Sequence, residues 1–147
     1  LLASLFASLV AGCAPIVDVD LGDDLASEDG CGDDCGEDSD RVGLRRPLES
    51  HAHAVVGDVV IENDRTFVIE GFGFDGGGLD VRAIIGDSVE AMSDGDYTVL
   101  SEDLRRPGGY ENARVEFVLA EGESVDDVAV FSIWCLPANA NLAHVEL

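Results

Sequence analysis

Phe131-Ser132-Ile133-Trp134-Cys135 sets a thiol beside the single tryptophan of a 147-residue chain. A lone cysteine on an apolar strand can be a redox group, a ligand to a metal or prosthetic group, or simply core, since free cysteine packs like a small hydrophobe. Burial without a cationic neighbour raises a thiol's pKa and suppresses its nucleophilicity. Further donor atoms lie on His51, His53, His144 and Met92. Two histidines, a cysteine and a methionine make a blue-copper set. Here, however, Cys135 and His144 fall on separate predicted strands rather than in one compact ligand loop, and no metal centre is expected. Covalent c-type haem is excluded because no Cys-x-x-Cys-His run occurs, and neither Gly-x-Ser-x-Gly nor His-Glu-x-x-His is present. His51 and His53 read as an exposed pair at a strand start, and His144 as an exposed residue beside Glu146. Asp75 and Asp80 flank a glycine loop, where turn-making is the simplest account.

The other three cysteines all lie in the first quarter, at Cys13, Cys31 and Cys35. Residues 1–12 are small and apolar, too short to span a bilayer, and read as the h-region of an export signal. Val10-Ala11-Gly12-Cys13 resembles the lipobox of bacterial lipoproteins, which implies cleavage before Cys13 and lipidation of its sulfur. Ala14, in place of Asp, implies carriage to the outer membrane. From Asp18 to Asp40 there are 11 acidic residues in 23 and no arginine. Such a run cannot bury enough apolar surface to order itself, so 13–46 reads as a lipid-anchored acidic tether. Cys31-Gly-Asp-Asp-Cys35 is one residue longer than a thioredoxin-like motif, and in an exported chain a local disulfide is expected between its ends. Cys135 is then left as the unpaired thiol.

Formal net charge is −23, with eight arginines and no lysine. That balance excludes nucleic acid and anionic membrane surfaces as partners, leaving a lipid anchor as the membrane attachment. The missing lysine also removes Schiff-base chemistry and a P-loop.

From about Arg41 onward, short period-2 runs alternate with Gly, Asn and Asp, which predicts an all-β fold: a single antiparallel β-sandwich, barrel-like, over 47–147. Val55, Gly57, Val59 and Ile61 share one face, as do Phe67 and Ile69 across the Asn63-Asp64 turn. Arg114 and Glu116 alternate with Val115, Phe117 and Leu119, marking a half-buried strand. Val128 to Trp134 is apolar on both faces apart from Ser132, and predicts a central strand. Cys135 is in phase with Phe131 and Ile133 and should point into the same apolar layer. In the last strand, Ala143, Val145 and Leu147 are expected on one face and Leu142, His144 and Glu146 on the other.

His53-Ala54-Val55-Val56-Gly57, Arg65-Thr66-Phe67-Val68-Ile69, Phe72-Gly73-Phe74-Asp75-Gly76, Tyr110-Glu111-Asn112 and Ser132-Ile133-Trp134-Cys135 occur in this order. Together they resemble the DM-thirteen domain, the Skeletor-type electron-transfer module, over about Leu48 to Leu147. The closing Ser-Ile-Trp-Cys corresponds to the family's usual Ser-Val-Trp-Cys. The resemblance implies a β-sandwich with a redox role at Cys135, acting as a thiol or as ligand to a prosthetic group such as haem. It places His53 at the motif histidine, and it implies a redox partner protein. Two departures stand out: Gly78-Leu79 replaces a Gly-Pro, and Ala140-Asn141-Leu142-Ala143 lacks an aromatic and a glycine. The alternative is a non-catalytic binding sandwich with Cys135 as core.

Overall fold

The computed structural model describes residues 38–147; Cys13, Cys31 and Cys35, with the residues expected to form an export segment and most of the acidic run, lie outside them. Nine strands form two antiparallel sheets, as the period-2 pattern requires. They are β1 (Arg45–Pro47), β2 (Glu49–Ser50), β3 (Val56–Asn63), β4 (Thr66–Phe74), β5 (Val81–Gly86), β6 (Thr98–Val99), β7 (Tyr110–Val118), β8 (Val130–Cys135) and β9 (Ala140–Glu146). The first sheet has the order β1-β3-β4-β7 and the second β2-β9-β8-β5-β6. The expected antiparallel β-sandwich is what forms, and both sheets are open rather than closed into a barrel. Three of the four edge strands, β1, β2 and β6, are only two or three residues long, and the nine-residue β7 therefore finds no long edge in the other sheet to close against.

The inward faces supply the core: Val59 and Ile61 from β3, Phe67 and Ile69 from β4, Phe117 from β7, and Phe131 and Ile133 from β8. Phe131 touches both Phe67 and Phe117, with ring centroids 5.6 and 5.4 Å apart, and so joins the two layers. As predicted, β8 is central, between β9 and β5, and every one of its residues is buried.

Of the register shifts along the strands, two decide which residues reach the core. On β4, Ile69 pairs with Val115 but Phe72 with Ala113, so three steps on one strand meet two on the other. Gly71, at φ +65°, takes the extra position without a Cβ penalty. Phe67 and Ile69 on one side of the bulge, and Phe72 and Phe74 on the other, therefore all reach the core. On β9, Ile133 pairs with Ala143 but Trp134 with Asn141, and Leu142 is the residue left over. Leu142 joins the core beside Ala143, which corrects its expected place on the face of His144 and Glu146. Strict alternation fails there because the bulge lets consecutive residues face inward.

The outer face of the second sheet has its own cover. Ser88 caps helix α1 (Val89–Ser93), its hydroxyl accepting from the Ala91 N–H. Met92 of α1 packs with Ile84, Val130 and Trp134. No helix among the described residues is long and apolar enough to cross a membrane. The outer face of the first sheet is laced by ion pairs of Arg45 with Asp58 and Glu70, and of Arg114 with Glu62 and Glu116. Packed chain begins ahead of β1: Ser39 is buried, its N–H donating to Asp64, and Arg41 donates to the carbonyls of Val125 and Val128.

Candidate functional site

Cys135 ends β8 with its sulfur in the inter-sheet core, as its phase predicts, and is 4% exposed. Its surroundings come from three loops. Residues 75–80 link β4 to β5, residues 100–109 lead into β7, and residues 136–139 link β8 to β9. Backbone hydrogen bonds tie the second loop to the start of β5 and the third loop to the first: Leu104 N–H to Val81 C=O at 2.7 Å, and Leu136 N–H to Asp80 C=O at 2.9 Å. A Cβ added to Gly78, at φ +99°, would lie 3.9 Å from the sulfur, so this backbone runs directly against it.

Burial raises the Cys135 pKa and is the largest single influence. The backbone N–H groups of Leu79, Asp80 and Ala138, with the positive charge of Arg105, together outweigh it and hold the thiol below its ordinary value. N–H donors aimed at the sulfur favour the thiolate over the thiol. The arrangement is thus an acidified thiol under a thin glycine cover.

Arg105 is itself held in place. Its guanidinium is paired with Asp103 at 2.5 Å and reaches the Gly78 carbonyl at 3.4 Å, while Asp103 also accepts from the Val81 N–H at 3.1 Å. The side-chain hydrogen bond from Arg105 holds the Asp103 carboxyl far below the usual range; burial opposes this, and the N–H groups of Arg105 and Val81 reinforce it. A carboxylate with a depressed folded pKa contributes stability that is full above its unfolded pKa, about 3.9, and lost as pH falls through the folded value. Asp103→Asn is therefore expected to lower stability at pH 7 by about 1–2 kcal/mol, given the partial exposure of the pair. The deficit should vanish only well below pH 4. Urea midpoints measured over a pH series check this, and an unchanged acid limb in the variant would assign the pH dependence elsewhere.

His53 stands on the other side of the glycine loop. Its Nδ1 lies 3.1 and 3.2 Å from the two Asp75 oxygens, and a Cβ added to Gly77 would meet the same ring at 3.0 Å. Asp75 Oδ1 accepts from the Gly77 N–H at 2.7 Å, the turn-making role expected of it. That hydrogen bond, opposed by burial and helped by His53, lowers the Asp75 pKa. Asp80 pairs with Arg82. His53 and Cys135 thus occupy the space beside adjacent glycines, Gly77 and Gly78, of one loop, where a Cβ would meet them.

The remaining candidate donors are elsewhere. Met92 packs under α1 on the outer face of the second sheet, opposite the side that holds Cys135. His51 and His144 meet one another, with ring nitrogens 2.9 Å apart. Among the described residues, no group of three or more His, Cys, Asp or Glu could hold a metal ion. The sequence reading missed Arg105 and the N–H donors. The Asp103-x-Arg105 spacing, which suits a local ion pair, was the available signal for the first; backbone donors leave none.

The sequence model of the family described as Electron transfer DM13 matches residues 47–147. Protein Skeletor of Drosophila melanogaster is 29% identical over 100 residues in isoforms B/C, covering 65% of this chain and 12% of that protein. Isoforms D/E match at the same identity, with 6% of their length covered. The chain therefore spans a small fraction of these relatives. No solved structure matches it. With the matched region spanning both sheets from Pro47 and ending beyond Cys135, the chain belongs to the DM13 electron-transfer family.

Proposed function

We propose that this domain is a redox module of the bacterial envelope, with Cys135 as its working group and a lipid on Cys13 as its anchor, carried to the outer membrane. The observation that supports it best is the setting of the sulfur: three backbone N–H groups and Arg105 acidify a thiol that burial alone would make inert. The family membership supplies the electron-transfer context. The residues around Cys135 do not suit a haem. The sulfur faces loop N–H groups and core, and the open groove beside it is lined by Asp75–Gly78, Asp103 and Arg105–Gly108 rather than by Cys135. The redox step is therefore assigned to the thiol itself.

In that step the Cys135 thiolate attacks one sulfur of a disulfide on a redox partner. The partner's S–S bond breaks, a mixed disulfide forms, and the departing thiolate takes a proton from solvent. Cys135 is oxidised and the departing sulfur reduced. Attack requires the Gly77–Leu79 span to lift from the sulfur, and His53 with Asp75 holds the far side of that span.

The test uses the full chain with Cys13, Cys31 and Cys35 replaced by Ser. Iodoacetamide labelling of Cys135 should reach half its maximal rate at a lower pH in the wild type than in Arg105→Ala, which loses the positive charge beside the sulfur. Incubation with a glutathione redox buffer should add one glutathione, and none in Cys135→Ser. If Cys135 neither labels nor exchanges while the protein is folded, the core reading replaces this one. A haem absorption band that Cys135→Ser removes would return the prosthetic-group reading. The anchor is tested separately: in the natural chain, Cys13→Ala should shift the protein from the membrane to the soluble fraction.

A further inference from the structure

His51 and His144 form a pair that the redox reading leaves unused. We propose that they bind a divalent transition-metal ion, of the Cu2+ and Ni2+ class, across the β2–β9 junction.

The strand register brings the two rings together. Glu49 of β2 lies opposite His144 of β9, and His51, two residues after Glu49, shares its face. The His51 N–H donates to the Leu142 carbonyl at 2.8 Å, fixing the backbone at the point where β2 ends. His51 Nε2 then lies 2.9 Å from His144 Nδ1, with the ring planes 12° apart. Two nitrogens bound at right angles, each about 2.0–2.1 Å from one ion, are separated by about 2.9 Å; tetrahedral ligation would need about 3.4 Å. The observed spacing is that of a hydrogen bond between the rings, and it also matches the bite of two adjacent ligands on a tetragonal ion more closely than that of a tetrahedral one.

The supporting contacts turn the His144 Nδ1 lone pair toward His51. Asn141 Nδ2 lies 3.1 Å from His144 Nδ1, and Asn141 Oδ1 lies 3.1 Å from the hydroxyl of fully buried Ser132, which it shares with the Ala143 carbonyl at 2.8 Å. With its amide so oriented, Asn141 Nδ2–H donates to His144 Nδ1, as does His51 Nε2–H, and an ion that binds there displaces both donors. When an ion enters, the proton on His51 Nε2 transfers through solvent to His51 Nδ1, so the neutral pair binds without net proton release. Glu49 and Glu146 add negative charge at the adjoining groove, against the single positive charge of Arg46. With no third protein ligand among the described residues, water or an exogenous donor completes the coordination. His53 takes no part, since its ring is engaged with Asp75.

The experiment titrates Ni2+ into the full chain, reading heat of binding and thermal unfolding. Because both ligands meet only in the folded state, Ni2+ should raise the wild-type Tm. His51→Ala and His144→Ala should each weaken the Ni2+ affinity at this site at least tenfold and abolish the Tm increase; His53→Ala and Cys135→Ser should retain both. The Cu2+ complex should show hyperfine coupling to two nitrogens by electron paramagnetic resonance, reduced to one in the exposed-site variant His51→Ala, which leaves Ser132 and Asn141 in place. Unchanged affinity in both His51→Ala and His144→Ala, or a Tm increase that survives in them, would overturn the proposal and leave the pair a hydrogen bond between imidazoles. Loss in Cys135→Ser but not in the histidine variants would overturn it in favour of a thiolate ligand.

Discussion

Gly109→Ala should lower the free energy of unfolding by about 3–5 kcal/mol. Gly109 has φ +63°, and an added Cβ would lie 2.0 Å from the Phe74 carbonyl oxygen and 2.8 Å from the Asp75 carbonyl carbon. These are backbone atoms, so no side-chain rotation relieves the overlap. Gly76 shows the reciprocal contact: its added Cβ would meet the Arg106 carbonyl at 2.4 Å. The two loops therefore touch backbone to backbone, and separating them should lift the segment that donates to Cys135. The variant should consequently lose thiol acidity along with stability, with the iodoacetamide midpoint rising to the ordinary thiol range. Gly108→Ala is the matched comparison. Gly108 has φ +82° but open space around it, so only conformational strain applies, about 1 kcal/mol. Similar losses in the two variants, measured by urea denaturation, would show that strain rather than loop contact governs the region.

Phe131→Ala should cost about 3–5 kcal/mol as well, by a different route. Its ring is fully buried and packs on Phe67 of one strand and Phe117 of another in the facing sheet. Removing it leaves a cavity at the centre of the interlayer contact, where neither sheet can collapse without moving the other. Because the cover over Cys135 is built from loops at the end of β8, the labelling midpoint should stay where it is in wild type. A fall in the urea midpoint with the slope unchanged is the expected result. A loss under 1 kcal/mol would mean that the sheets close over the gap.

These two variants separate what was legible in the sequence from what was not. The layer assignment of Phe131, Ile133 and Cys135 follows from period 2, and the apolar run of β8 marks its central place. Phe67 with Ile69, against Phe72 with Phe74, have opposite parity, and only a bulge reconciles them; Gly71 was its sole local mark. Leu142 was misplaced because its bulge carries no glycine. Closure into a barrel depends on the length of edge strands, and strands as short as Thr98–Val99 leave no periodicity to read. The site divides in the same way. Cys135 and His53 were legible as residues, since each carries its own chemistry. The acidity of the sulfur was not, because backbone donors at Leu79, Asp80 and Ala138 are independent of side-chain identity, and Arg105 lies 30 positions from Cys135. The meeting of His51 with His144 depends on how β2 pairs with β9, a long-range register that local pattern does not encode.

Adjacent residues at the end of β8 face opposite sides of the second sheet: the sulfur of Cys135 enters the interlayer core, and the indole of Trp134 packs beneath α1 with Met92. The chain has no other tryptophan, so its intrinsic fluorescence is an optical reporter on the helix side of the strand, shielded from the sulfur by the strand's own backbone. Chemistry confined to Cys135 should leave that emission unchanged. A spectral shift on oxidation would signal that β8 itself has moved, carrying a local redox event through to the far face of the sheet.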